Sequence, residues 1–402
     1  MRITMRITPS SELQHRRVGL QRKMAGAGLE AVLCMQNADL FYFTGTTQSG
    51  CLYVPAEGPP IYMVRREISR ARKESLLPEV VPFQSFRDIP GILAAYGIPA
   101  PKSIGMELDV LPVQLYERCR KVFPEASFAD ATPLIRQVRM IKSRYEIEIM
   151  EEAAAQVDLV YREARQRIRE GISEVELAAE LEYVARRNGH VGLMRMRAFN
   201  GEMLFGHVLS GADSAVPAYT DTPLGGRGAG PFFGQGAGGK ILLPDEPVLV
   251  DFAGSLDGYL VDQTRVFAIG GLAEKLRRGF EDMCRLQAHM TTLTRTFPSW
   301  DSLYRSCLAL AVEMGYADHF MGARGAQVSF IGHGIGVEID EYPFIARGFE
   351  EMRLEPGMTF AFEPKLVFPG EGAVGIEDTF HVEEDGSLRR LTRSPEELVI
   401  LC

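Results

Sequence analysis

Residues 248–267, VLVDFAGSLDGYLVDQTRVF, place two carboxylates inside apolar runs that otherwise favour buried β-strands. Asp251 interrupts the first run and Asp262 interrupts the second. Between them, Asp257-Gly258 is typical of a two-residue hairpin turn, in which the backbone takes positive φ. The stretch therefore predicts two antiparallel strands, each carrying one aspartate.

The turn leaves two pairings of these strands open. If residues 256 and 257 form the loop, Asp251 lies directly opposite Asp262. If residues 257 and 258 form it, the two aspartates are diagonal neighbours on one face, because side chains alternate with a period of two. Both pairings bring the two carboxylates together.

Two interpretations explain why a half-buried face keeps two aspartates that repel each other and lose hydration. In the first, nearby cations neutralise them in a structural ion-pair network, with Arg265 and Lys240 as candidates. In the second, the carboxylates bind a metal ion. The hairpin favours the metal over the ion-pair network.

The composition is typical of a globular protein of about two domains: 402 residues, 46% of them hydrophobic and 24% charged. A formal net charge of −9, without a cluster of Lys and Arg, argues against nucleic acid or an anionic membrane as partner. No apolar run reaches the length of a membrane span. The six cysteines lack paired spacing, so we expect free thiols in a reducing cytoplasm.

An α/β unit is predicted for the first third of the chain. Residues 10–27 predict a helix, whereas 31–35 (AVLCM) and 40–45 (LFYFTG) predict strands. Further strands and helices alternate after them, without a glycine-rich phosphate loop. A boundary near residue 137 separates an N-terminal domain, 1–137, from a second domain, 138–402.

Capping boxes mark two helices at the start of the second domain. Ser143 with Glu146 opens one of them, and Ser173 with Glu176 opens the next. Residues 205–239 then form a long stretch crowded with glycine and proline, which is typical of a functional loop.

Three further candidate ligands lie in the last quarter of the chain. His333 lies between glycines, which let backbone or ligand approach the imidazole. Glu363 and Glu377 each end or interrupt an apolar run in residues 354–386, which predict two strands joined near 369–372. With Asp251 and Asp262, the set comprises four carboxylates and one imidazole. Such donors suit Mn²⁺, Co²⁺, Fe²⁺ or Zn²⁺ and are numerous enough for two ions.

The order of four motifs resembles the creatinase/aminopeptidase P/prolidase/methionine aminopeptidase family, peptidase family M24. The motifs are DFAGSLDGYLVDQTR (251–265), GHGIG (332–336), FAFEP (360–364) and GIEDT (375–379). The resemblance covers residues 141–401, and residues 10–135 resemble the creatinase-type N-terminal domain. It implies an α+β chain in which a smaller creatinase-type α/β domain precedes a pita-bread catalytic domain, and it implies a homodimer.

By this resemblance, the five donors are the ligands of a dinuclear metal centre, with Asp262 and Glu377 bridging the ions and Glu363 also acting as general base. The implied reaction is hydrolysis of an amide or peptide bond, as in an Xaa-Pro aminopeptidase or dipeptidase. One alternative is a non-peptidase of the same fold that acts on a small C–N compound as a hydrolase or lyase. Another is a catalytically silent binding protein.

Four positions depart from the family's pattern. Ala218, Ser329 and Asp340 stand where members carry histidine, and Gly375 stands where they carry arginine. His207 could supply a replacement imidazole or could be a hydrogen-bonded structural histidine. The catalytic candidates are therefore Glu363, His207 and Asp340.

Substrate preference is expected to change with these positions. The loss of an arginine at Gly375 and the gain of Asp340 make the pocket more negative, which favours neutral or cationic substrates. Asp340 or Glu341 would then pair with the substrate. Alternatively, Arg227 in the flexible GGRG segment holds a substrate anion, unless it is an ordinary exposed loop arginine.

Overall fold

The computed structural model describes residues 5–402, which form two compact units. One unit contains residues 5–139 together with the short segment Arg197–Gly201. The other contains Met140–Met196 and Glu202–Cys402. Within residues 5–402, no helix has the length and apolar content that crossing a bilayer requires.

The first unit is built on a six-stranded mixed sheet. Its strands are β1 (Ala31–Cys34), β2 (Gly50–Pro55), β3 (Ile61–Val64), β4 (Glu79–Pro82), β5 (Ser103–Met106) and β6 (Ser127–Asp130). They lie in the order β4-β3-β2-β1-β5-β6, and only the β1–β2 and β2–β3 pairs are antiparallel. The helices are α1 (Ser10–Ala27), α2 (Asn37–Thr44), α3 (Ile68–Glu74), α4 (Ile89–Ala95), α5 (Val113–Val122) and α6 (Thr132–Arg139).

Helix α2 contains most of residues 40–45, which the sequence predicts to be a strand. The Gln36 side chain accepts hydrogen bonds from the backbone N–H groups of Ala38 and Asp39, and this caps the start of the helix. Gly45, with a φ of 79°, ends it. The strand prediction was wrong because a short apolar run alone does not distinguish a buried helix from a strand.

The second unit begins with the two helices that the capping boxes predict. In both boxes, the serine side chain accepts a hydrogen bond from the glutamate backbone N–H, and the glutamate side chain accepts one from the serine backbone N–H. These two helix starts are therefore confirmed. The α-helices in the described part of this unit are α7 (Arg144–Arg167), α8 (Glu174–Arg187), α9 (Glu274–Leu293) and α10 (Trp300–Glu313).

Eleven strands follow in the described part of the second unit. They are β7 (Gly206–Ser210), β8 (Pro247–Leu256), β9 (Tyr259–Ile269), β10 (Phe330–Ile335), β11 (Ile339–Ala346), β12 (Thr359–Phe362), β13 (Lys365–Phe368), β14 (Gly372–Gly375), β15 (Asp378–Val382), β16 (Leu388–Arg390) and β17 (Val399–Leu401). They form a sheet in the order β17-β9-β8-β7, a sheet in the order β11-β10-β12-β15-β16, and a β13–β14 hairpin. Residues 354–386 thus contain four strands, β12 to β15, instead of the two predicted.

The hydrophobic core of the second unit holds these strands in place. It includes apolar side chains of α9 and α10 together with those of strands β10 and β12 to β15. Trp300, at the start of α10, has no exposed surface. Because close-packed interiors resist movement, polar side chains carried by these strands have defined positions.

Candidate metal centre

The hairpin between β8 and β9 has the second of the two predicted pairings. Leu256 lies opposite Tyr259, so Asp257 and Gly258 form the loop. Both loop residues have positive φ, 46° for Asp257 and 89° for Gly258, which the short turn between twisted strands requires.

This pairing places Asp251 opposite Thr264 and Asp262 opposite Ala253. The two aspartates are therefore diagonal neighbours on the same face of the hairpin. The backbone of Asp262 is held further by Thr379, whose hydroxyl accepts from the Asp262 N–H at 2.8 Å and donates to its carbonyl at 2.9 Å.

His333 lies on β10, which pairs with β11 on one side and β12 on the other. A Cβ at Gly332 would lie 2.6 Å from the carbonyl oxygen of Ala361, and one at Gly334 would lie 2.2 Å from that of Tyr342. The flanking glycines are needed because both neighbouring strands approach the backbone this closely.

Glu363 and Glu377 reach the same place from two strand ends. Glu363 follows β12, and Glu377 precedes β15 and forms a β-bridge with Thr264 of β9. Ligand atoms of Asp262, His333 and Glu377 all lie within 4.8 Å of one another, and all three residues are buried. The Nε2 atom of His333 is 3.8 Å from Oε1 of Glu363 and 3.8 Å from Oε1 of Glu377.

All five predicted donors line one cavity of about 60 Å³. This volume is several times the ~10–15 Å³ that one water molecule needs, so it has room for an ion and a small reacting group. Two other predicted catalytic residues, His207 and Asp340, line the cavity as well. Its ionisable lining is Asp221, Asp251, Asp262, Glu363, Glu377, Asp340, His207 and His333.

Burial and mutual repulsion raise the pKa of most carboxyl groups of the predicted donor set. Burial and the neighbouring Glu377 raise the pKa of Asp251 to about 7 and that of Glu363 to about 8, and the same causes raise the pKa of Asp262 well above its ordinary value. Burial also acts on Glu377, but Lys365, His333 and a hydrogen bond from Thr264 outweigh it and lower its pKa. A bound cation would therefore favour the ionised form of the whole cluster.

Lys365, which the sequence analysis missed, is the buried cation of this cluster. Its side chain has 0% exposure, and its Nζ lies 3.0 Å from Oε2 of Glu377 and 3.3 Å from Oε2 of Glu363. Its position two residues after Glu363 is a signal that could have been used, since alternate residues of an extended chain share a face. The contact with Glu377 depends on the β13–β14 hairpin, whose turn lies where the sequence predicts a junction between two strands, near residues 369–372.

The two cations considered from the sequence have other partners. Arg265 pairs with Asp378 at 2.8 Å, and Lys240 pairs with Glu246. An ion-pair network of Asp251 and Asp262 with these two residues was therefore the wrong interpretation.

His207 faces the cavity from β7, where it pairs with Asp251 across the sheet. Its Nε2 is buried and has no hydrogen-bond partner among the described residues. Burial lowers the pKa of His207 to about 4, so the imidazole is neutral near pH 7. A neutral ring with an unpartnered nitrogen can hydrogen-bond a molecule that enters the cavity.

Asp340 lies on the other side of the His333 ring. Its Oδ1 is 3.6 Å from Nδ1 of His333, and its backbone φ of 63° places it in the left-handed region. Burial would lower the pKa of His333, but Asp340, Glu363 and Glu377 together raise it. The two ring nitrogens thus face different partners, and Nε2 faces the cluster of glutamates.

Glu341 and Arg227, predicted to bind substrate, are not brought to this cavity. Glu341 is buried with its Oε2 3.7 Å from Nζ of Lys142, and it accepts a hydrogen bond from the backbone N–H of Glu338. Arg227 pairs with Asp213 at 2.8 Å, and its side chain is 65% exposed. The first correction follows from these contacts, since Lys142 and the Glu338 backbone hold the Glu341 carboxylate away from the cavity.

A buried cluster of carboxylates and an imidazole is a donor set that binds divalent metal ions in proteins. Residues 148–384 match Metallopeptidase family M24, and residues 16–141 match the Creatinase/Prolidase N-terminal domain. The chain belongs to metallopeptidase family M24, so it is a metallohydrolase. The predicted family and fold class are confirmed.

Xaa-Pro dipeptidases and a prolidase are similar to this chain over nearly its whole length. It is 29% identical over 376 residues to the Xaa-Pro dipeptidase of Pyrococcus furiosus, which covers 92% of this chain and 95% of the relative. The structure is similar to that of the Xaa-Pro dipeptidase from Bacillus anthracis, with a TM-score of 0.80, 25% identity and coverage of 97% and 100%. The prolidase from Pyrococcus horikoshii gives a TM-score of 0.77, 25% identity and coverage of 96% and 99%.

Proposed function

We propose that this metallohydrolase is an Xaa-Pro peptidase that cleaves small peptides with the help of divalent metal. The observation that carries the proposal is the convergence of Asp262, His333 and Glu377 to within 4.8 Å in a buried cavity. It supports this function because the chain is similar over more than nine-tenths of its length to an Xaa-Pro dipeptidase.

The proposed ligands are Asp251, Asp262, His333, Glu363 and Glu377. Their oxygen and imidazole donors fit Mn²⁺, Co²⁺, Fe²⁺ or Zn²⁺. When bound, such an ion supplies Lewis acidity to the substrate carbonyl and lowers the pKa of water. The donor set is large enough for the two ions expected from the sequence, and the position of Lys365 bears on that number.

Three side chains of the cavity have proposed roles in the reaction. Glu363 accepts a proton from the attacking water and returns it to the leaving nitrogen. The neutral His207 hydrogen-bonds the substrate through its free Nε2. Asp340 orients the His333 ring by contacting Nδ1, which leaves Nε2 for the metal.

The wider context is proposed from the family and the cysteines. We propose a homodimer, with an N-terminal domain of residues 1–137 and a catalytic domain of residues 138–402. We also propose a cytoplasmic location, which the six free cysteines support.

A second candidate function is hydrolysis of a small non-peptide amide. The observation that favours it is the rewritten surroundings of the five donors, where Ala218 and Gly375 carry no polar side chain. These two departures remove groups that family members place near the substrate.

Turnover on a panel of compounds tests both functions. The purified protein would be stripped of metal, reloaded separately with Mn²⁺, Co²⁺, Fe²⁺ or Zn²⁺, and assayed on Xaa-Pro dipeptides, Xaa-Ala dipeptides and small amides. Cleavage of Xaa-Pro in clear preference to Xaa-Ala supports the peptidase. Cleavage of small amides alone supports the second candidate, and metal binding without any turnover favours a binding protein.

A further inference from the structure

Lys365 divides the oxygens of the two glutamates into two sets. The Oε1 atoms of Glu363 and Glu377 face His333, each 3.8 Å from its Nε2. The Oε2 atoms of the same residues face the Lys365 ammonium, at 3.3 and 3.0 Å. Oε2 of Glu377 also accepts a hydrogen bond from the Thr264 hydroxyl at 2.7 Å. One set of oxygens is open to an ion beside His333, and the other set already has a cation.

A glycine on the neighbouring strand leaves space for the Lys365 side chain. Lys365 lies directly opposite Gly375 in the β13–β14 hairpin. A Cβ at Gly375 would lie 2.7 Å from Cδ of Lys365 and 2.4 Å from the carbonyl oxygen of Pro364. The absence of a side chain at residue 375 therefore lets the aliphatic part of Lys365 run inward to the glutamates.

An ammonium in this position excludes a second metal ion. To bridge two ions, Glu377 would use one oxygen for each, but its Oε2 is engaged by Lys365 and Thr264. A divalent ion binds carboxylate oxygen at about 2.0–2.2 Å. It would then lie close to the ammonium, in a buried site where like charges repel strongly.

We propose that the Lys365 ammonium takes the place of a second metal ion, so that the centre binds one divalent ion, beside Asp262, His333 and Glu377. This inference rests on the proposed metal-dependent function and specifies its cofactor. The lysine supplies fixed positive charge, and the single ion supplies Lewis acidity.

Manganese titration with two readouts tests this inference. Chelator-treated protein would be titrated with Mn²⁺, dialysed and counted by inductively coupled plasma mass spectrometry. Electron paramagnetic resonance would then distinguish an isolated Mn²⁺, with a six-line signal, from a spin-coupled pair. For the wild type we expect one ion per chain and the isolated signal.

Lys365→Met keeps a side chain of similar length and removes the charge. We expect it to bind two Mn²⁺ per chain and to give the spin-coupled signal, because Oε2 of each glutamate becomes available. Lys275→Met is the matched control, since Lys275 pairs with Glu371 on the surface and is 51% exposed. This control should bind one ion, like the wild type.

The outcomes separate the inference from the proposed function. Two coupled ions in the wild type would overturn the inference and leave the metal-dependent function standing. No bound ion in the wild type would overturn both. A folded Lys365→Met protein that still binds one ion would also overturn the inference, because something other than the ammonium would then exclude the second ion. If Lys365→Met does not fold, the wild-type count and spectrum decide.

Discussion

His333 shows how a single residue acquires its role from what its two nitrogens contact. Nδ1 is 3.3 Å from the Gly334 carbonyl and 3.6 Å from Asp340, whereas Nε2 faces Glu363 and Glu377. A partner on the far nitrogen sets the tautomer and orientation of a metal-binding histidine. The sequence predicts His333 as a ligand from its motif, but the choice of Nε2 follows only from the structure.

Replacement of His333 by alanine should abolish activity and leave the fold intact. The imidazole contributes to the ion cluster and little to the apolar core, so the main loss is metal affinity, by at least about 100-fold. Isothermal titration with Mn²⁺ measures this loss, and circular dichroism checks the fold. His319→Ala is the control, because His319 packs on Phe368 away from the cavity. Metal binding at wild-type affinity in His333→Ala would remove His333 from the ligand set.

Replacement of Glu363 by glutamine should separate proton transfer from metal binding. Glutamine keeps an oxygen donor but accepts no proton, so we expect kcat to fall by about 100-fold or more while metal content stays similar. Glu371→Gln, on the exposed loop between β13 and β14, should behave like the wild type. A near-normal kcat with metal retained would assign the general base to another residue.

Among secondary-structure elements, the sequence predicts local features such as turns and helix caps well, and contacts between different strands poorly. The β8–β9 hairpin was predictable because its turn residues lie beside the strands that they connect. The charge beside the glutamates was not predicted in this way: Gly375 suggested a lost cation, but Lys365 supplies one from the opposite strand of the β13–β14 hairpin. Lys365 thus places a positive charge beside Glu363 and Glu377 that the motifs did not indicate.

Replacement of Gly258 by alanine should destabilise the β8–β9 hairpin turn. At a φ of 89° alanine is strained, so the free energy of unfolding should fall by about 1 kcal/mol. Urea denaturation measures this change, and kcat should be unaffected because Gly258 does not line the cavity. Gly239→Ala is the matched control, since Gly239 does not have positive φ and a Cβ there would meet nothing within 4 Å. Equal stability of the two variants would contradict the role of the turn.

Across the whole chain, sequence motifs identify the residues of the candidate metal centre. They do not identify the buried ion pairs that support the fold. All cavity-lining residues lie in the second unit, where linear motifs carry the ligands. In the first unit, buried Asp39 pairs with Arg139 and with Arg197 of the segment Arg197–Gly201, at 2.6 and 2.7 Å. No motif predicts this cluster, because its three members are joined only by tertiary folding. Motifs thus identify the chemistry, whereas stability also depends on contacts that are distant in sequence.

The folded state should lose stability as the pH falls, because the buried His190 is held in its neutral form. This imidazole is 2% exposed, accepts a hydrogen bond on Nδ1 from the Gly192 N–H, and stacks on Phe205 at 4.3 Å. Burial lowers its pKa to about 4, from about 6.5 in an unfolded chain. Between these values the unfolded state binds more protons. The contribution of His190 to stability is therefore complete above pH 6.5 and is lost as the pH falls toward 4, by about 2–3 kcal/mol.

Urea unfolding from pH 8 to pH 4, with chelator present so that metal binding does not contribute, measures this effect. His190→Asn should be less stable than wild type at pH 8 because it loses the stacking. It should also lose less stability on acidification, so that the difference between the two proteins narrows by about 2–3 kcal/mol. His289→Asn, at a half-buried position on α9, is the control for replacing a histidine by asparagine. Since His207 also has a lowered pKa, part of the acid sensitivity should remain in His190→Asn. Parallel pH curves for wild type and His190→Asn would contradict this prediction, because they would mean that the pKa of His190 is the same in the folded and unfolded states.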